Sequence, residues 1–354
     1  MLRVVIVLVT LVAARATGLE TGDWKLEAKS QPLHRYEAVE PHMGTLVKIT
    51  VYTPDAAAAR RAFRAGFDRI GDLDAILSDY KIDSELNRLT STAVRTAAPI
   101  SRDLFAVLSA AQEIAEASGG AFDVTQGPVI RLWRQARNTH APPAAPVLAE
   151  AAARGGYRKL HLDASRRMVT LDQEGMALDV GGIAKGYAAS EALATIRGLG
   201  VRSAMVAVSG DLAFSDAPPG ARGWRIALHD LPEGAAGVPA TLELTNAAVS
   251  TAGPAEQHLD AGGRRYSHIV DPVTGMGLTD DLTVTVVATH GLAADGLDTA
   301  ISVLGVDRGL ALVDARDDAA AVIVRRSAAG AAVIPSLRFS RFVAGRATVP
   351  IDSR

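Results

Sequence analysis

Three groups of residues carry types and spacings that could do chemistry. The stretch Leu178-Asp179-Val180-Gly181-Gly182-Ile183-Ala184-Lys185-Gly186-Tyr187 passes from an apolar strand through a glycine pair into a helix start. Glycines let the backbone turn sharply and come close to a ligand, and a helix beginning near Ile183 points unpaired N–H groups at an anion. Asp179 and Lys185 flank the turn with a carboxylate and an ammonium. The same residues also suit a packing turn, with Asp179 as a cap and Lys185 in water. In the second group, Asp295 and Thr299 stand four apart, which puts their oxygens one turn apart on one helix face. Completed by backbone and phosphate oxygens, that pair fits a hard cation of the Mg2+ kind. The alternative is that Asp295 caps the helix and Thr299 bonds its own backbone. The third group is His268 among Tyr266, Ser267 and Asp271, suited either to proton transfer or to a structural histidine.

The elements that must position these groups are legible in outline. Residues 46–53 alternate Val47, Ile49 and Val51 against Lys48, Thr50 and Tyr52, the period of a half-buried strand. An amphipathic helix over 56–77 follows, then a polar loop from Ser78 to Asn87 that displays Tyr80, either a plain loop or a ring that holds a flat ligand. Ser101 caps a second helix that Gly119-Gly120 stops. Asp123 and Thr125 come next, beside glycines, compatible with capping or with a ligand. Residues 138–146, rich in proline and alanine, read as an exposed connection. Strands are expected near 168–171, 203–208, 224–229, 241–244 and 248–252, the 203–208 strand entering the turn Ser209-Gly210-Asp211. A hairpin around Gly262-Gly263 delivers His268, and a strand at 282–288 precedes the helix of Asp295. Residues 319–326 and 333–342 read as strands that close a sheet.

Composition narrows the function. The 354 residues are 48% apolar and 21% charged with a formal charge of −2, which gives no footing for a nucleic-acid partner. With no cysteine, disulfides, thiolate metal sites and thiol nucleophiles are excluded, so any metal must be held by oxygen or imidazole. No P-loop, zincin or nucleophile-elbow motif occurs. At the N-terminus Arg3, the apolar run from Val4 to Ala14 and Ala14-Arg15-Ala16 read as a secretory signal peptide over residues 1–16. The expectation is therefore a soluble, exported protein without membrane insertion after cleavage, periplasmic in a Gram-negative source. The absence of cysteine argues against a lipoprotein. Residues 17–40 read as a mature extension, 41–345 as the folded domain and 346–354 as a tail.

Taken together, seven segments resemble the FAD:protein FMN transferase family, the ApbE-like flavin transferases. They are Met43-Gly44-Thr45, Ser78-x-Tyr80-x-x-x-Ser84-Glu85-Leu86, Gly119 to Pro128, Leu178 to Tyr187, Ser209-Gly210-Asp211, Ser267 to Gly275 and Ala294 to Thr299. They fall in the family's order across most of the chain. Val124 and Ser209 depart from the common pattern, where many relatives have proline and glycine. The resemblance implies an α+β fold of two subdomains within one domain, with the flavin site in the cleft between them.

It further implies FAD contacts at Met43, Tyr80, Ala121, Phe122, Asp123, Asp179, Lys185, Ser267, His268 and Ile269. The implied metal set is a backbone oxygen of Gly182 with Asp295 and Thr299, holding Mg2+, and the implied catalytic set is His268, Asp271 and Asp295. Asp295 cannot readily serve as both tight ligand and base, so His268 or Asp271 is the candidate proton acceptor. The implied partners are FAD and an acceptor flavoprotein that takes the FMN moiety on a threonine or serine, with release of AMP. Hydrolysis of FAD to FMN and AMP, or flavin carriage without catalysis, are the alternatives.

Overall fold

The computed structural model describes residues 31–228, 230–232, 238–253, 258–328 and 330–344. The expected signal peptide and C-terminal tail, and the extension as far as residue 30, lie outside them. Strands β1 (His34–His42) and β2 (Thr45–Thr53) form a hairpin closed by Met43 and Gly44, at φ 51° and 71°. Two left-handed residues are what a two-residue I′ loop requires. β1 begins inside the 17–40 stretch that sequence placed before the domain and runs two residues past it, to His42. Its side chains are mostly exposed, so no apolar alternation marks it, and its pairing with β2 holds it.

Helix α1 (Ala56–Leu77) starts at Asp55, whose carboxylate accepts from Ala58 N at 2.7 Å, and buries Phe67, Ile70 and Leu73. Helix α2 (Glu85–Thr92) and strand β3 (Ala98–Pro99) lead to helix α3 (Arg102–Ser118), capped by Ser101 and ended by Gly119 at φ 66°. Helices α4 (Gly127–Thr139) and α5 (Ala145–Arg154) each carry proline in the first turn, where its missing N–H costs nothing. Strands β4 (Leu160–Asp163) and β5 (Met168–Leu171) join β3 in a small sheet of order β3-β5-β4.

Next come helix α6 (Gly181–Gly198) and strands β6 (Ala204–Val208), β7 (Asp211–Phe214), β8 (Trp224–Ala227), β9 (Thr241–Leu244) and β10 (Ala247–Ala252). The hairpin β11 (His258–Ala261) and β12 (Arg264–Ser267) precedes β13 (Leu282–Ala288) and helix α7 (Gly291–Asp314). Strands β14 (Ala319–Ser327) and β15 (Gly330–Pro335) and helix α8 (Phe339–Ala344) complete the described chain. The strand expected over 333–342 therefore divides. It ends at Pro335, and Phe339 turns in as part of a helix, 1% exposed.

Among the described residues, eight strands form one antiparallel sheet of order β1-β2-β6-β7-β10-β13-β14-β15. Val47, Ile49, Val51 and Val206 pack with α1 and α6, while Val284, Val286 and Ile323 pack with α7. Phe214, Val287 and Val322 point to the other face, under Trp224, Leu242 and Phe339. Covered on both faces, β13 buries all seven of its residues. A fully buried valine is worth about 1.5–3 kcal/mol, so this strand anchors the sheet on which the helices are held. The described residues from Leu33 onward form one compact α+β unit. Among the described residues no helix is long and apolar enough to cross a membrane.

Candidate functional site

The site is built where α6 and α7 touch. A Cβ placed on Gly186 would lie 2.3 Å from the Gly291 carbonyl oxygen, and one placed on Gly291 would lie 1.8 Å from that of Gly186. No side chain fits there, so the two backbones meet directly. The contact brings Asp295, on α7, to the first turns of α6, where Gly186 N donates to Asp295 Oδ2 at 2.9 Å and the Lys185 backbone N–H also bonds this carboxylate. In an unbroken helix these two N–H groups would take the carbonyls of Gly181 and Gly182. The backbone at Gly182, φ −87° and ψ 18°, departs from helical values there.

Asp295 is joined by Asp211, at the start of β7, and Asp298, one turn along α7. All three are 2–3% exposed, and an oxygen from each lies within 4.8 Å of the others. Lys185 Nζ pairs with Asp211 Oδ2 and lies 3.9 Å from Asp295 Oδ1. Ser250, on β10, faces Asp211 Oδ1 and, at 2.6 Å, Asp298 Oδ2. One hydroxyl proton cannot serve two carboxylates, so without a cation the second contact needs a proton on a carboxyl. Burial and then the charge of Asp211 push the Asp295 carboxyl up to about 7. Burial, then Asp295 and Asp211, puts Asp298 well above the usual carboxylate range. Burial opposes the charge on Lys185, but Asp295 and Asp211 outweigh it and raise the ammonium above its ordinary value. One ammonium cannot balance three carboxylates, and an uncompensated buried charge costs several kcal/mol. The three carboxylates could hold a cation.

Thr299 completes this corner: its Oγ1 would lie 3.0 Å from a Cβ on Gly182, and Phe122 Cε2 would lie 3.4 Å from it. Thr299 Oγ1 also donates to Asp298 Oδ1 at 3.2 Å. The structure thus brings Gly182, Lys185, Asp295, Thr299 and Phe122 together from three distant segments. The Ala121–Asp123 segment is tied to the turn before α6, since Asp179 N donates to the Val124 carbonyl at 2.8 Å. Ala121 and Phe122 are buried. The Asp123 carboxylate accepts from Thr125 N at 2.8 Å, Thr125 Oγ1 at 2.6 Å, Gln126 Nε2 at 3.1 Å and Tyr157 N at 3.0 Å, so it organises its own loop.

Asp179, 7% exposed, accepts from Gly181 N at 2.8 Å and from Arg134 Nη2 at 2.6 Å. Burial, then Asp79, raises its carboxyl, while Arg134 works the other way. Arg134 also bonds Asp79 and lies over the Tyr80 ring, 4.3 Å from its centroid. Met43 is half-buried in its hairpin turn, packed against the core below α1 and α6. On the hairpin side, Ser267 Oγ accepts from Ile269 N at 3.1 Å, and both residues are buried. His268, between them, is partly exposed. The Asp271 carboxylate accepts from Val273 N at 2.8 Å and Thr274 Oγ1 at 3.0 Å, bonds that shape its turn.

Sequence reasoning missed Asp211, Asp298, Ser250 and Arg134 as site residues. Asp298 had a usable signal: it stands three residues after Asp295, hence on the same helix face. Ser250 and Arg134 had none, because only the tertiary fold brings them to the acidic groups. Ser209, one of the departures from the expected pattern, sits at φ 56° in the turn before Asp211, a conformation that glycine takes without strain.

These features define an α+β protein with a buried cluster of three carboxylates beside a glycine-pair helix start. Residues 43–324 match the ApbE family, and the chain belongs to it. It is 31% identical over 335 residues to the FAD:protein FMN transferase of Treponema pallidum, covering 89% of this chain and 92% of that one. It is also 31% identical to a protein of the same name from Haemophilus influenzae, over 72% of this chain and 75% of that one. The structure of the Pseudomonas stutzeri flavinyl transferase ApbE superposes with a TM-score of 0.77 at 29% identity, covering 88% of this chain and 98% of that chain.

Proposed function

We propose that this protein is a flavin transferase that moves the FMN moiety of FAD onto a threonine or serine hydroxyl of an acceptor flavoprotein, with Mg2+, through a phosphoester bond. The observation that carries this reading is the buried set Asp211, Asp295 and Asp298 with one lysine, set against the helix start after Gly181-Gly182. The donors are all oxygens, which suits a hard cation. Asp295, the Thr299 hydroxyl and a Gly182 backbone oxygen would hold Mg2+, with Asp298 and Asp211 beside them. Bound there, the cation would supply positive charge next to the pyrophosphate oxygens.

The protein's own groups do the positioning. The Lys185 ammonium, beside the Gly181-Gly182 turn, stabilises charge on the phosphates, which phosphoryl-type transfer demands more than covalent help. The acceptor oxygen forms a bond to the FMN phosphorus as the bond from that phosphorus to the bridging oxygen breaks, and AMP leaves. The hydroxyl proton passes to His268. Asp271 is the weaker candidate, because its oxygens already accept two hydrogen bonds in the turn. Met43, Tyr80, Phe122 and the Ser267–Ile269 segment line the flavin end. Residues 1–16 would export the protein, so the acceptor is met outside the cytoplasm.

Incubating the purified protein with FAD, Mg2+ and a candidate acceptor flavoprotein, followed by mass spectrometry, tests the reading. An acceptor heavier by one FMN is expected. Free FMN and AMP with an unmodified acceptor would make the protein an FAD pyrophosphatase instead, and intact FAD would make it a carrier.

A further inference from the structure

Arg134 stands outside the cation corner, yet it joins three segments that are remote in sequence. It lies on α4, its guanidinium bonds Asp79 in the loop after α1, and it donates to Asp179 Oδ2 at 2.6 Å in the turn before α6. Both carboxylates are well buried, with side chains 10% and 5% exposed. A flat cation with donors along two edges is what holds two carboxylates at once, and a lysine cannot reproduce it. The same guanidinium covers one side of the Tyr80 ring at 4.3 Å from the centroid, while Tyr80 remains 74% exposed. A large aromatic residue that open to water would normally sample several rotamers. Here the cation beneath it, itself pinned at both ends, selects one.

Asp179 carries the connection further. It accepts from Gly181 N at 2.8 Å through Oδ1 and from Arg134 through Oδ2, so the turn beside Gly182 is held by its own bond and serves as the fixed end from which the guanidinium seats the Tyr80 ring. A ligand with a flat ring at one end and a pyrophosphate at the other needs its two subsites at a fixed separation, because freedom in either weakens both contacts together. We propose that Arg134 is a positioning residue that sets this separation, holding the aromatic platform of Tyr80 in register with the phosphate end at Gly181-Gly182. The assignment rests on the flavin-transfer reading above.

The test compares binding of FAD with binding of ADP, which keeps the pyrophosphate and lacks the flavin ring, in the full-length protein with Mg2+. Variants are Arg134→Met, Arg134→Lys, Tyr80→Leu and the Arg134→Met/Tyr80→Leu pair. Arg134→Met is expected to weaken FAD binding about tenfold or more while ADP affinity changes by less than about twofold. With Tyr80→Leu already present, Arg134→Met should cost little more, because the ring through which it acts is gone. Arg134→Lys keeps a charge beside the two carboxylates, protecting the fold if Arg134→Met is unstable, and should show the same selective loss of FAD at smaller size. Equal losses for FAD and ADP, or full additivity in the double variant, would reduce Arg134 to general support and overturn the proposal. Failure of the wild-type protein itself to bind FAD would instead defeat the flavin reading and this proposal with it.

Discussion

Gly186 and Gly291 are packed backbone to backbone, each closing on the other's carbonyl oxygen so tightly that a Cβ on Gly291 would stand 1.8 Å from Gly186 O. This contact sets the distance between α6 and α7, and with it the bond from Gly186 N to Asp295.

Gly291→Ala is therefore expected to push the helices apart. Overpacking of this kind costs about 1–3 kcal/mol, and the rigid backbone on both sides puts this case at the upper end. Transfer activity should fall more steeply than stability, because Asp295 moves with α7. Chemical denaturation beside a turnover assay checks this. Near-normal activity in a folded variant would show that the helix spacing is not what positions Asp295.

Asp298→Asn removes one of three crowded carboxylates while keeping its shape: the amide oxygen still accepts from Thr299, and the amide N–H donates to Ser250 Oγ, whose own proton then serves Asp211. The metal-free protein should become as stable as wild type or more so, by up to about 2 kcal/mol. The rise in melting temperature produced by Mg2+ should shrink or vanish. Melting curves with and without the ion decide it. An undiminished Mg2+ response would remove Asp298 from the cation corner.

Met43 occupies a left-handed position, φ 51°, beside Gly44 in a two-residue turn that asparagine tolerates better. Met43→Asn should stabilise the hairpin by about 1 kcal/mol and raise the KM for FAD, exchanging strain relief for a lost ligand contact. An unchanged KM would take Met43 out of the flavin site.

Arg69 donates to both oxygens of Asp103, at 2.8 and 2.6 Å, and reaches Glu191 at 2.5 Å, while Tyr187 donates to Asp103 at 2.7 Å. The Arg69 hydrogen bonds hold the Asp103 carboxyl below the usual range against the opposing effect of burial. A carboxyl depressed in the folded state binds its proton more readily once unfolded. Its stabilisation is thus complete above about pH 4 and is lost as pH falls through the lower, folded value. Arg69→Met should cost about 1–2 kcal/mol at neutral pH after allowance for solvent screening, and the deficit should narrow below about pH 4. A gap independent of pH would show that packing, not charge, was lost.

His268→Ala and Asp271→Ala separate the two candidate proton acceptors. His268→Ala should lower kcat by about 100-fold or more with little change in stability. Asp271→Ala removes the acceptor for Val273 N and Thr274 Oγ1 and should act through stability, by about 1 kcal/mol. The reverse pattern would move the proton to Asp271.

Much of this was legible in the chain because the signals are local. The alternation of Val47, Ile49 and Val51 marked β2, the spacing of Phe67, Ile70 and Leu77 marked α1, and Ser101 with Gly119 bounded α3. The glycine pair ahead of α6 and the Asp295–Thr299 step reveal themselves through covalent neighbours and one helical turn. β1 stayed hidden because an exposed edge strand has no apolar face to display. Helices α6 and α7 bury residues on nearly every side, which blurs their periodicity. Tertiary structure alone decided that Asp211, Ser250 and Asp298 share one corner, that Gly186 lies on Gly291, and that Arg134 underlies Tyr80. Each of these depends on segments far apart in sequence meeting at contact distance, and no local pattern encodes which will meet. The sequence determined which carboxylates, hydroxyls, ammonium groups and glycines this protein has; the packing of α6 against α7 on the sheet decided which of them meet.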